Sequence, residues 1–251
     1  MKATIVLTEP VCKRVIARGV AAEPAVRQAL AEGTIVITLG TTNAFVAEEL
    51  LGRSIDREAF AAGFIDDRFN LNARLGDLAD IVLRRGVEWN GTREELLEDL
   101  TVGDVVIKGG NALDPWGTVG VLLGARNGGT VARYHALALA RGVEMVIPIS
   151  MAKSVHSTIA EVALRLGADG IARSSGIPCG MYPLTGRVVT EADALETLYP
   201  VQVYHIASGG VGKGAGNVSL LLEGPGDAVD AAYELVQSFA DEQDVQLKGA
   251  R

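Results

Sequence analysis

A glycine-rich turn follows the first long apolar run of the chain and carries groups that suit an anion. The run is Ile35 to Leu39, and the turn is Gly40-Thr41-Thr42-Asn43, after which helical spacing begins. Backbone N–H groups at the start of a helix are unpaired and partly positive, and glycine lets a phosphate approach the backbone closely. The turn therefore predicts an anion site. A helix cap formed by Thr42 or Asn43, with no ligand, is the alternative.

A lysine follows a second apolar run, Asp104 to Ile107, which reads as a buried strand. It begins the segment Lys108-Gly109-Gly110-Asn111-Ala112-Leu113-Asp114. A lysine ammonium is a compact charge that suits an anionic group. We predict catalytic roles for Lys108, Asn111 and Asp114, and ligand-binding roles for Gly109 and Gly110. The alternative is a turn whose lysine is solvated.

Two further glycine-rich stretches complete the set of candidate ligand-binding residues. Gly128-Gly129-Thr130 precedes a predicted helix, residues 131–141, and is a third candidate anion site or a plain helix cap. Residues 208–217 contain Lys213 amid five glycines between two strand-like runs. This segment is either a phosphate-binding loop that includes Lys213 or a hairpin loop. It is not a Walker A motif, because no Gly-Lys-Ser/Thr begins a helix.

The elements that must position these loops alternate between strand and helix over the first 150 residues. Strands are predicted at 35–39, 104–107, 119–123 and 145–149, and helices at 8–22, 24–31, 43–51, 92–100, 131–141 and 155–166. Asp80–Leu83 and Glu88–Trp89 predict a hairpin. This order predicts an α/β fold with a doubly wound, mostly parallel sheet and helices on both faces. Ligands of such sheets bind at the carboxyl ends of strands, so the loops are expected to converge.

The composition and pattern of the sequence change after Gly167. Residues 174–186 are rich in Gly, Pro and Ser and predict a loop. A helix at 190–198, strands at 201–207 and 217–223 and a helix at 227–239 then predict a small α+β appendage. We therefore expect an α/β ligand-binding core at 1–172, a linker at 173–186 and the small unit at 187–240.

Composition and charge exclude several classes of protein. Apolar residues are 48% and charged residues 22%, which is enough for a globular core. The net charge of −8 disfavours general nucleic-acid binding, which needs basic side chains on phosphates. Cys12 and Cys179 form neither a CxxC pair nor a disulfide framework, and no Cys/His cluster predicts a metal. No run approaches the ~18 apolar residues of a membrane span. We expect a cytoplasmic protein without nucleic-acid or membrane partners.

The first two loops resemble those of the superfamily of ribose-phosphate isomerases, glucosamine-phosphate deaminases and CoA-transferases. The turn at Gly40 is similar to the Gly-Thr-Gly-Ser-Thr loop of ribose-5-phosphate isomerase and to the Gly-Thr-Thr-Thr loop of DeoR-type sugar-sensing domains. Ile107 to Gly110 matches the Ile-Lys-Gly-Gly of the isomerases, and Gly129-Thr130 lies where methylthioribose-phosphate isomerases have a Gly-Thr. The resemblance spans roughly residues 12–150 and implies a phosphorylated or otherwise anionic ligand and a homo-oligomer.

The chain departs from these families at their catalytic positions. The Asp-Gly-Ala-Asp-Glu segment is missing, Gly117 lies about where the isomerase glutamate would fall, and Asn111 stands in place of an aspartate. Asparagine does not serve as an ordinary general acid or base. Two functions remain open. One is an isomerase- or transferase-like enzyme for a phosphorylated sugar or similar small anion, without a cofactor and with a CoA ester as an alternative substrate. The other is a non-catalytic metabolite sensor.

Overall fold

The computed structural model describes residues 1–66 and 79–245, apart from the side chain of Lys213. Within these ranges the chain forms eight α-helices and twelve β-strands. Their bounds, in chain order, are β1 Lys2–Leu7, α1 Glu9–Ala22, α2 Pro24–Glu32, β2 Thr34–Ile37, α3 Thr41–Leu51, β3 Ile81–Arg84, β4 Val87–Glu88, α4 Arg93–Asp99, β5 Val105–Ile107, β6 Ala112–Leu113, β7 Val119–Leu123, α5 Gly129–Arg141, β8 Glu144–Pro148, α6 Ile159–Arg165, β9 Gly180–Leu184, β10 Arg187–Val189, α7 Glu191–Leu198, β11 Gln202–Gly209, β12 Asn217–Glu223 and α8 Gly226–Ser238.

The largest sheet has six strands in the order β10-β8-β5-β2-β3-β4. The first four are mutually parallel, whereas β3 and β4 form the expected antiparallel hairpin at one edge. Arg85 and Gly86 both adopt positive φ in its two-residue turn, as a tight hairpin requires. The chain is thus a mixed α/β fold with a mostly parallel sheet. The doubly wound order remains a prediction.

Both faces of this sheet are covered, because its inner strands are apolar at consecutive positions. In β2, Ile35 and Ile37 belong to a core cluster that also contains residues of α1 and α3. Val36 points to the opposite face and joins a second cluster with residues of α4 and α5. Side chains alternate between faces along a strand, so a continuous apolar run needs a layer on each side.

A second sheet joins the two ends of the chain. It is antiparallel, with the order β1-β12-β11, and Met1 N donates to Gly224 O at 2.6 Å. Strand β1 was not predicted. Its residues alternate in burial, but the exposed position 6 carries an apolar valine, so the alternation of polar and apolar residue types is interrupted in the sequence. Strand β1 therefore pairs with the expected C-terminal unit, while β10 extends the main sheet beside β8.

The predicted loop at 174–186 was wrong for its second half, which contains β9. This strand pairs only with β7, at the edge of a three-stranded sheet ordered β6-β7-β9. Pro183 is tolerated there because an edge strand has one side without ladder partners. The helix predicted at 155–166 is shorter, since Thr158 caps it by accepting from Glu161 N at 3.1 Å.

Several local predictions are confirmed. Thr8 occupies the N-cap position of α1, and Thr92 and Glu95 form a capping box at α4. Gly33 ends α2, as expected. Of the described helices, none is both long and apolar enough to cross a membrane.

Candidate functional site

Three loops meet at one edge of the main sheet, because they follow three neighbouring parallel strands. The turn at Gly40 follows β2, Lys108 follows β5, and a short 3₁₀ turn, Met151–Lys153, comes shortly after β8. The carboxyl ends of parallel strands lie at the same edge, which is where α/β sheets bind ligands. The sequence predicted the first two of these loops.

The loops enclose a cavity of about 320 Å³, here called the lysine cavity. Its volume is within the range of small-molecule sites, roughly 300–1,000 Å³. All four residues of the Gly40 turn line it, together with Lys108, Gly109, Gly110 and Asn111. Its remaining described lining is Glu9, Lys13, Leu39, Ala62, Gly63, Phe64, Ile65, Asp66, Lys153, Asp244 and Val245.

Two of its lysines are held by backbone carbonyl groups. Lys108 Nζ donates to Gly109 O at 2.8 Å, and Lys153 Nζ donates to Gly110 O at 2.9 Å. In residues 1–66 and 79–245, neither ammonium forms an ion pair with a carboxylate. Burying an unpaired ammonium costs free energy unless a counter-charge is supplied. Each ammonium group therefore lacks a paired counter-charge within the described residues.

Burial and mutual repulsion weaken the basicity of these two lysines. The pKa of Lys108 is lowered to about 8, chiefly by burial and next by the ammonium of Lys153, while the carboxylate of Asp80 opposes the shift. The pKa of Lys153 is also lowered to about 8, by burial and then by the ammonium of Lys13, against Glu9 and Glu191. The three ammonium groups thus act on one another within the site.

A buried carboxylate outside the cavity lining holds the turn that carries Lys153. Glu191, at the start of α7, is fully buried and accepts from Ser150 Oγ at 2.5 Å and from Met151 N at 2.9 Å. Since both donors belong to the turn or directly precede it, Glu191 fixes the backbone from which Lys153 projects. The same carboxylate acts electrostatically on Lys153.

The third lysine is paired. Lys13 lies on α1 and is only 4% exposed. Its Nζ lies 2.8 Å from Glu9 Oε1 and 2.7 Å from Asp244 Oδ1. An anion that approaches Lys13 therefore meets two carboxylates already bound to it.

The start of α3 presents backbone rather than side-chain groups. Gly40 is the N-cap residue and makes no side-chain cap, so neither Thr42 nor Asn43 caps the helix in the way the alternative required. Asn43 is fully buried, and its Nδ2 donates to Thr38 O at 2.8 Å. Its Oδ1 has no hydrogen-bond partner among the described residues. The free helix start and the two lysines face one cavity.

The other two predicted catalytic residues have structural partners. Asn111 Nδ2 donates to Gly63 O at 2.8 Å, and its Oδ1 accepts from Leu122 N at 3.0 Å. Asp114 lines neither of the two cavities described here. Its carboxylate accepts from the backbone N–H groups of three residues, and these donors outweigh burial and lower its pKa. The donors are Trp116, Thr118 and Ile159.

A second cavity of about 360 Å³, here called the apolar cavity, lies against the first. Gly128, Gly129 and Thr130, at the start of α5, line it, and Asn127 Oδ1 accepts from Gly129 N at 3.1 Å. Five residues line both cavities: Leu39, Ala62, Gly63, Lys108 and Asn111. The third predicted loop is thus beside the lysine cavity, across a shared wall.

The glycine-rich segment 208–217 connects β11 and β12 as a hairpin loop. The described side chains of this segment line neither cavity, although a Cβ placed on Gly216 would lie 3.8 Å from Glu9 Oε2. The side chain of Lys213 lies outside the described part of the chain, so its ligand-binding role stays a prediction.

Sequence reasoning missed Lys13, Lys153, Glu9, Asp80 and Asp244. Lys153 had a usable signal, since it follows the predicted strand 145–149 closely, as Lys108 follows β5. Asp80 precedes an antiparallel strand, which places it at the edge where β2 ends. Its carboxylate accepts from Tyr134 Oη at 3.0 Å and from Leu39 N at 3.2 Å.

Comparison with protein-family models, curated proteins and solved structures finds no match for this chain. The described residues also contain no group of three or more His, Cys, Asp or Glu side chains arranged to hold a metal ion. Any assignment of function therefore depends on the geometry of the site.

Proposed function

We propose that the lysine cavity binds a phosphorylated sugar or a similar small anionic metabolite, and that the protein acts on it as an isomerase- or transferase-like enzyme. The observation that carries this proposal is the pair of half-buried lysines, Lys108 and Lys153, whose ammonium groups donate, within the described chain, only to carbonyl oxygens at the cavity wall. A phosphate or carboxylate would offset the cost of burying them. The start of α3 adds N–H donors on another side of the same space.

Lys108 is the residue best suited to chemistry. With its pKa near 8, both its ammonium and its amine forms are populated close to neutral pH, which suits a group that gives and takes a proton. Sugar-phosphate isomerisation requires such a transfer between neighbouring carbons. Lys153, which is tied to the turn fixed by Glu191, would then hold the anionic group.

A non-catalytic metabolite sensor is the second candidate, and one observation favours it. Glu9 and Asp244, two of the carboxylates that line the cavity, are both ion-paired with Lys13. A carboxylate held in this way is a poor general base, because the adjacent ammonium stabilises its ionised form. A sensor would bind the same ligand without turnover.

Calorimetry and thermal shift with inorganic phosphate, pentose phosphates, hexose phosphates and a CoA ester test the proposal, followed by an NMR assay for turnover. We expect a phosphate ester to bind and Lys153→Met to weaken that binding at least tenfold. Lys2→Met is the matched control, since Lys2 pairs with Glu223 far from the cavity and should leave affinity unchanged. Absence of binding by every anion would overturn the proposal; binding without turnover would favour the sensor.

A further inference from the structure

The lysine cavity and the apolar cavity share a wall but differ in chemistry. The apolar cavity is lined mainly by aliphatic side chains: Leu39, Val121, Leu122, Leu123, Val131 and Ile177. Among its described lining residues, Lys108 is the one charged side chain, and it belongs to both cavities. A ligand whose anionic group binds at Lys108 and Lys153 is therefore next to an apolar space.

The wall between the cavities is held in place by Asn111. Its Nδ2 donates to Gly63 O, in the segment before residue 66, and its Oδ1 accepts from Leu122 N, in β7. These two bonds join the loops on both sides of the shared wall. Asn111, which lines both cavities, thus helps to hold them in their relative positions.

We propose that the apolar cavity binds a nonpolar substituent of the same ligand, so that the ligand is a phosphorylated or similarly anionic metabolite with an apolar group beside its charged end. This proposal rests on the proposed function, because the anion must first bind at the lysines. Continuity of the two cavities through five shared residues is the reason for assigning both spaces to one molecule. A purely polar sugar phosphate would leave the aliphatic walls in contact with water.

A series of alkyl phosphates provides a direct test by calorimetry, from inorganic phosphate through methyl and butyl to hexyl phosphate. Each methylene that leaves water for an apolar wall should tighten the dissociation constant about three- to fourfold, until the cavity is full. We therefore expect hexyl phosphate to bind far more tightly than methyl phosphate, with inorganic phosphate weakest.

Two variants test whether the alkyl chain binds in the apolar cavity. Ile177→Ser removes a half-buried aliphatic wall, and Ala125→Phe fills the cavity from an exposed position that tolerates a larger side chain. Each should reduce the advantage of hexyl over methyl phosphate at least tenfold and leave the affinity for inorganic phosphate within about twofold. Val102→Ser, at an exposed site on a distant loop, is the matched control and should change neither affinity.

The outcomes separate this proposal from the one on which it rests. Equal affinities along the series would overturn the apolar subsite and leave the anion site standing. If affinity still rises with alkyl chain length in both variants, the apolar subsite is also overturned, since the alkyl chain would then bind elsewhere. Failure of every phosphate to bind would overturn both proposals. Circular dichroism and melting temperature of each variant confirm that it is folded.

Discussion

At the scale of single residues, the two half-buried lysines of the cavity lack a paired counter-charge within the described chain. Lys108 and Lys153 give up hydration and receive only one carbonyl acceptor each among the bonds of the described chain. Since their ammonium groups also repel one another, the folded state favours the neutral amine more than water does. Sites that bind or transform a ligand commonly carry such shifted groups.

This shift predicts how anion binding depends on pH. The lysines bind an anion in their protonated form, which predominates below a pKa of about 8 and is lost as the pH rises through that value. A phosphate monoester is already a dianion above pH 7, so its own charge stays constant. We expect affinity to fall between pH 7 and pH 9, by at most about tenfold for each lysine.

Calorimetric titration of a phosphate monoester at several pH values checks this expectation at constant ionic strength. The Lys153→Met variant is the internal control, because loss of one titrating group should flatten the pH dependence of the residual binding. An affinity that stays constant up to pH 9.5, near the range of an ordinary lysine, would contradict the assignment of these two ammonium groups to the ligand.

At the scale of elements, the two glycines of the loop after β5 differ in whether their surroundings leave room for a side chain. A Cβ on Gly110 would overlap Val119 Cγ1 and approach Ile149 Cδ1 to 3.2 Å, and both of these side chains are buried. A Cβ on the neighbouring Gly109 would make only ordinary contacts, 3.5 Å from Asn43 Oδ1 and from Pro148 O. Packing therefore requires glycine at position 110 but not at position 109.

We predict that Gly110→Ala lowers the free energy of unfolding by about 1–3 kcal/mol, because the added methyl overpacks the core beside β7. It should also weaken anion binding, since Gly110 O accepts from Lys153 Nζ. Gly109→Ala is the matched control and should change stability by less than about 0.5 kcal/mol. Urea denaturation of both variants measures the difference, and equal stabilities would refute this reading of the loop.

The site residues that directly follow strands were predictable from the sequence. The residues that line the site because their helix packs against the sheet were not. Gly40 and Lys108 stand directly after apolar runs, so the sequence itself places them at a sheet edge. Lys13 lies on α1, ahead of the first strand of that sheet, and enters the cavity only because α1 packs against the face of the sheet. The catalytic role predicted for Asn111 stays a prediction, and the structure adds a structural one, because both ends of its amide bind neighbouring loops.

The same distinction applies to the fold. Long periodic segments and capping signals located α1, α4 and α5, whereas short edge strands left weak patterns. Strand β9 contains Gly180 and Pro183, which read as breakers, and only its pairing with β7 makes it a strand. Strand β1 needs β12, more than 200 residues away, as its partner. Pairings over such distances leave no local trace in the sequence.

At the scale of the whole molecule, the end of the described chain returns to the site. After α8, Glu242 contacts both Arg14 and Arg57, at 2.8 and 2.9 Å, and these arginines also bind Glu48. Both guanidinium groups lie over the ring of Phe45 on α3. This partly buried network fastens the C-terminal segment, and the segment then places Asp244 at the cavity wall, 2.7 Å from Lys13.

Asp244 therefore occupies a position that an anionic ligand would favour, and the two compete for the same ammonium. We predict that Asp244→Asn strengthens binding of inorganic phosphate by about three- to tenfold, because it removes a negative charge from the cavity and leaves Lys13 paired with Glu9 alone. Glu242→Gln is the control for a change in the same segment. It should lower stability by about 1–3 kcal/mol, since it leaves two partly buried arginines with one carboxylate fewer.

The two variants distinguish competition from simple anchoring. If the C-terminal segment only supports the fold, Asp244→Asn should weaken binding or leave it unchanged, in parallel with any loss of stability measured by urea denaturation. If Asp244 competes, affinity should rise although stability falls slightly, and the gain should disappear in the double variant with Lys13→Met. That pattern would make the length and charge of the segment after α8 a determinant of how strongly the site binds its ligand.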